Sequence, residues 1–116
     1  MIRTQAVMST EVRPAMRGGT GSVTLRHLFS KEEISAKSRL CAVLTLPPGA
    51  SIGNHRHDGE DEVYYVLKGT ALLDDGQVRS TLTEGDAVLT GHGESHAIAN
   101  IGTTDLEILA VIMCYA

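Results

Sequence analysis

The stretch Asn54-His55-Arg56-His57-Asp58-Gly59-Glu60-Asp61-Glu62 sets two histidines one residue apart and follows them with four acids in the next five positions. Downstream, His92 and His96 form a second pair, so four of the five histidines fall in two clusters. Three imidazole nitrogens and one carboxylate suit a divalent transition metal and leave exchangeable positions for water, substrate or dioxygen. A lone histidine is better read as a surface or satisfied core residue. An H-x-H with a carboxylate beyond it and a second histidine cluster further on favours the metal.

Side chains in a strand alternate faces, so His55 and His57 point one way and Arg56 the other. Asp58-Gly59 then lets the chain turn. On the returning strand Glu62, Tyr64 and Val66 share a face, and on a later strand His96, Ile98 and Asn100 share another. If these faces all look inward, His55, His57, Glu62 and His96 converge. Around them the readings are divided. His92 on the loop Gly91-His92-Gly93-Glu94-Ser95 reads first as an exposed loop residue and second as a substrate contact. Tyr64 either offers its hydroxyl to a substrate or fills a barrel. Arg26 and Arg39 read as surface residues, with contact to an anionic substrate as the alternative.

Strands must supply these faces, and the chain is written for strands. Short runs of Val, Leu, Ile and Tyr alternate with glycine and Asx punctuation at 22–29, 39–46, 51–57, 61–68, 70–74, 77–83, 86–90, 95–100 and 105–114, a spacing that indicates an all-β domain. Asp74-Asp75-Gly76 signals a hairpin. The single helical expectation is one turn at Ser30–Ile34, where Ser30 and Glu33 match a capping box. Residues 1–20 contain a proline and a Gly-Gly step and read as an arm or loop, leaving 21–116 as the barrel domain. The last strand, Leu106–Cys114, is apolar at both parities, so both faces should be covered, and a second copy of the chain is the simplest cover for one of them. A homodimer is expected.

With 116 residues, 42% of them hydrophobic, the chain fits one domain with an ordinary core. A net charge of −4 with scattered Arg and Lys, and four aromatic residues in all, argue against nucleic acid as a partner. No apolar run reaches the length of a membrane span or signal peptide, so no membrane partner and a cytoplasmic location are expected. Cys41 and Cys114 lie in apolar runs and read as reduced thiols.

The residues named so far resemble the two signature motifs of the cupin superfamily. The first, G-x5-H-x-H-x3,4-E-x6-G, is met by Gly49, His55, His57, Glu62 and Gly69. The second, G-x5-P-x-G-x2-H-x3-N, is met by Gly85, Gly93, His96 and Asn100, with Gly91 in place of the proline. The resemblance implies a double-stranded β-helix, the cupin jelly-roll barrel, with a metal inside one open end. Carried over position by position, the ligands are His55, His57, Glu62 and His96, and the cofactor is one divalent transition metal ion, whether Mn, Fe, Ni, Zn, Co or Cu. Glu60 competes with Glu62 in sequence, but the spacing to Gly69 and the family pattern favour Glu62. Glu60 and Asp61 then read as a solvated acidic turn. Proteins of this resemblance include oxygenases, decarboxylases, sugar-phosphate isomerases and non-catalytic binders. The expected function is a metal-dependent enzyme acting on a small polar metabolite, with oxygenation or decarboxylation of a small organic acid ahead of isomerisation. A non-enzymatic binding or sensor module is the reading from the other class.

Overall fold

Ten strands carry the chain in the computed structural model, which describes residues 1–116: β1 Ser9–Pro14, β2 Ser22–His27, β3 Ser38–Leu46, β4 Ser51–Arg56, β5 Glu60–Lys68, β6 Ala71–Asp74, β7 Arg79–Leu82, β8 Ala87–Gly91, β9 Ser95–Asn100 and β10 Leu106–Cys114. They form two sheets, ordered β1-β2-β3-β10-β5-β8 and β4-β9-β6-β7, in which every neighbouring pair is antiparallel. This is the jelly-roll barrel that the motifs imply. Period-two alternation selects its inner faces, as in β10, where Leu106, Ile108, Ala110 and Ile112 are buried. The core joins both sheets and includes Val23, Leu44, Leu46, Ile52, Val66, Ile98 and Ile108.

Turn chemistry follows the punctuation. Asp74 accepts from the Gly76 N–H and Asp75 from those of Gln77 and Val78, closing the β6–β7 hairpin with Gly76 at φ 91°. Ser30 and Glu33 exchange both capping-box hydrogen bonds, yet only a turn forms there. The helical pieces lie elsewhere, as one-turn 3-10 segments at Gln5–Val7 and Met16–Gly18.

One sequence expectation is revised. The amino-terminal stretch, read as arm or loop, includes the edge strand β1, paired with β2 along its full length. Ser-Thr-Glu-Val-Arg-Pro has no apolar alternation because β1 buries nothing: Val12 is 63% exposed, and the strand is held through its backbone. The last strand is covered on one face only within the chain. Leu109 and Val111 are half-buried on the other, and Met113 is exposed.

Candidate metal centre

The four side chains come from three strands and one loop. Glu62 lies on β5 and His96 on β9, each at an inward position; His55 is near the end of β4, and His57 lies just beyond it. Simple alternation would put Ile52 and His55 on opposite faces. One extra residue in β4 corrects this: Ile52 pairs with Ile98 and His55 with His96, so three steps on β4 match two on β9. The bulge turns His55 inward. His57 is clamped through its backbone, its N–H donating to Glu94 O (2.9 Å) and its carbonyl accepting from Gly93 N–H (2.8 Å).

Each imidazole has its Nδ1 engaged, so each presents Nε2 to the centre. His55 Nδ1 lies 2.8 Å from the Gly53 carbonyl, His57 Nδ1 2.5 Å from Glu60 Oε2, and His96 Nδ1 2.9 Å from Thr90 Oγ1. A carbonyl and a carboxylate only accept, which places the proton on Nδ1 in His55 and His57 and frees Nε2 as a lone pair. The Nε2 atoms of His57 and His96 are 3.1 Å apart, as are those of His96 and His55, and Glu62 Oε1 lies 2.9 Å from both His57 and His96.

Lone pairs facing one another at such distances repel unless a proton or a cation lies among them. Glu62 Oε1 is buried and has no hydrogen-bond donor, so it too lacks a partner of positive charge. Adjacent ligands of an ion with bonds of about 2.1 Å lie about 3 Å apart, the spacing seen. All four ligand atoms fall within 4.8 Å of one another. The donor set therefore fits one divalent transition metal ion.

The electrostatics agree. Burial pushes the Glu62 carboxyl up, but with no ion bound, hydrogen bonds and positive charge from the imidazoles of His55, His96 and His57 pull it down by more, to about 2. A proton on the histidines then stands where a cation would, and the carboxyl is ionised at neutral pH. Burial lowers His96, with Glu62 opposing only in part, which keeps the ring neutral as a ligand must be. Burial, then the Glu62 charge, raises Tyr64, so its hydroxyl keeps its proton. The Tyr64 ring stacks on His96 at 4.8 Å.

A cavity of about 90 Å³ opens over the cluster, lined by Arg13, Met16, Arg17, His27, Arg39 and Tyr64 together with ligand residues. Its rim is cationic although the chain as a whole is acidic.

Several residues take places that the sequence did not reveal. Glu60, read as part of a solvated turn, is 9% exposed and joins His57 to Arg39, whose guanidinium donates to it at 2.7 and 2.8 Å. Arg39, expected at the surface, lines the cavity because it is the extra residue of a second bulge: Ile112 pairs with Leu40 and Met113 with Ser38. Thr90, which orients His96, had drawn no notice. Its only sequence signal is a polar residue at the inward parity of β8, next to the glycine loop. Arg26 lies on the opposite parity from buried Val23 and Leu25, away from the cavity. His92 is exposed and packs on Tyr115. Asn100 is structural, bonding Leu46 O, Thr104 O and Gly102 N–H. Gly91 has its own reason to replace proline: its N–H donates to Glu94, and a Cβ there would fall 1.9 Å from Asp61 Oδ1. Cys41 and Cys114 are unpaired and half-buried.

The cupin domain family matches residues 42–112. An oxalate-binding protein of Thermotoga maritima is 48% identical over 111 residues, which cover 92% of this chain and 92% of that protein. The crystal structure of a predicted oxalate decarboxylase from Thermotoga maritima superposes with a TM-score of 0.93 at 45% identity, covering 98% of this chain and 99% of the other. A polyketide cyclase of Streptomyces resistomycificus, 20% identical with a TM-score of 0.78 over all of this chain and 80% of its own, shares the fold alone.

Proposed function

The chain belongs to the cupin family, and on that premise we propose that His55, His57, Glu62 and His96 hold one divalent transition metal ion at which a small organic acid binds and is decarboxylated. The observation that carries this reading is the convergence of three imidazole Nε2 atoms and a buried carboxylate oxygen within 4.8 Å of one another beneath a small cationic cavity. The ion, when bound, supplies Lewis-acid polarisation of a carboxylate or carbonyl. The protein's own groups do the rest. The cationic rim draws an anion in, Tyr64 offers a protonated hydroxyl, Glu60 holds His57 in the ligating tautomer, and Thr90 orients the His96 ring.

Cavity size orders the alternatives. A cavity of about 90 Å³ directly over the cluster suits an acid of a few heavy atoms better than a sugar phosphate. The name of the Thermotoga maritima oxalate-binding protein supports oxalate as the first acid to try, and supports binding without turnover as the second reading.

The test is to load the protein separately with Mn(II), Fe(II), Ni(II) and Zn(II), then offer oxalate, other small acids and sugar phosphates. Carbon dioxide release without oxygen uptake is expected for a small acid. Oxygen consumption would make the chain an oxygenase, and saturable binding with no turnover would make it a binder. Failure to retain any metal would end the reading.

We also propose that the chain acts in the cytoplasm as a homodimer. The dimer is supported by apolar side chains exposed on the outer face of the six-stranded sheet, Tyr65, Leu67, Leu89 and Met113, which are 41%, 43%, 67% and 42% exposed. A monomer by light scattering at micromolar concentration would refute it.

A further inference from the structure

The segment between β1 and β2 crosses the cavity as a strap, and its backbone is unusual. Ala15 and Arg17 adopt left-handed conformations, φ 48° and 53°, which residues with a Cβ seldom accept. Hydrogen bonds fix the shape: Ala15 N–H to Gly21 O, Gly18 N–H to Ala15 O and Gly19 N–H to Met16 O, each 2.9 Å. The strap also lies flush on β4. A Cβ on Gly19 would come 2.1 Å from Ser51 O, and one on Gly53 would come 2.1 Å from Arg17 O. The two glycines thus let the backbones meet and seat Arg17 at the cavity. Glycine or asparagine would fit this conformation at less cost, so the strain at an arginine points to a use for its side chain.

The other basic residues of the rim are already paired. Glu11 binds Arg13 and His27, and Glu60 binds Arg39. Arg17 alone among them has no carboxylate partner, and it lines the same cavity as Glu62 and Tyr64. A divalent ion less the Glu62 charge leaves one positive charge at the centre, and Arg17 adds a second. A dianion balances them, whereas a monoanion leaves Arg17 unanswered.

We propose that Arg17 is a specificity-determining residue: it receives the outer carboxylate of a two- or three-carbon dicarboxylate whose inner oxygens bind at the metal centre. This rests on the function proposed above and goes beyond it, because it names the residue that selects a dianion over a monoanion.

Calorimetry on the full chain loaded with Mn(II) tests it, with oxalate and malonate as dianions and acetate as the monoanion. Arg17→Asn should weaken oxalate and malonate by about 10- to 100-fold, the usual worth of a charge-assisted hydrogen bond. Mn(II) affinity and acetate affinity should stay within about twofold. The thermal midpoint of the metal-free variant should hold or rise, since asparagine accepts the left-handed backbone. Arg17→Lys, which keeps the charge, should recover part of the dianion affinity. Unchanged oxalate and malonate binding in Arg17→Asn overturns the inference alone. An equal loss of Mn(II) affinity also overturns it, by making Arg17 a support of the metal site. Wild-type protein that takes up no Mn(II), or takes it up and binds neither dianion, overturns the underlying function and this inference with it.

Discussion

Tyr64 divides the barrel interior into two regions built by the same strands. On one side Val66, Leu46, Ile98, Leu106 and Ile108 pack together, and the one buried amide among them, Asn100, has its hydrogen bonds met. On the other side His55, His57, Glu62 and His96 are nearly as buried, yet their ligating atoms converge within 4.8 Å and Glu62 Oε1 has no hydrogen-bond partner. Strand parity decides what points inward in both regions. In the apolar half volume alone is enough, because dispersion and the hydrophobic effect have no direction. In the polar half direction is everything, so Gly53, Glu60 and Thr90 each fix one imidazole. The apolar half holds the barrel together, and the other half depends on an ion for its balance.

Breaking the polar half has the larger effect on the ion. His57→Ala should lower metal affinity at least about a thousandfold, roughly 4 kcal/mol, by calorimetry or chelator competition. An unchanged affinity would remove the distinction between the halves. Ile108→Ala should cost about 2–5 kcal/mol in urea unfolding of the metal-free protein, while the folded variant retains wild-type metal affinity. A parallel tenfold loss of affinity would show that the two halves are one unit. Glu60→Ala, which removes no ligand, should weaken metal binding by about 10- to 100-fold by freeing the His57 ring.

The smallest and most diagnostic effect concerns acid. Burial holds His96 below its ordinary 6.5, so the unfolded chain takes up a proton first as pH falls, and stability declines through and below that value. Glu62, held at about 2 rather than 4.5, adds stability that is present above 4.5 and lost between 4.5 and about 2. Both act in the same direction, so denaturant midpoints of the metal-free protein should fall below neutral pH. Ile108→Ala should displace that curve without altering its shape, because the apolar half has no titratable group apart from Tyr64 at its border. A change in slope would contradict this.

Much of this was legible in the chain. The strand runs, the Asp-Asp-Gly hairpin and the inward sets Glu62-Tyr64-Val66 and His96-Ile98-Asn100 all follow from alternation and turn chemistry, which act over a few residues. Strand β1 was not legible because an edge strand held by its backbone needs no apolar pattern. Glu60 was misread for a related reason. In sequence it belongs to an acidic turn, and only the approach of Arg39 from another strand makes its burial affordable.

The sequence by itself determined which residues have the chemistry to ligate a metal and, through strand parity, which side chains travel together. The tertiary structure decided where that parity breaks. The extra residue after Ile52 and the extra residue at Arg39 turn one imidazole and one guanidinium into the same opening, and the strap sets Arg17 beside them. A bulge is a mismatch between two strands, and a strap is seated by the backbone it crosses. Neither exists in one segment read alone, so both arise only when distant parts of the chain pair.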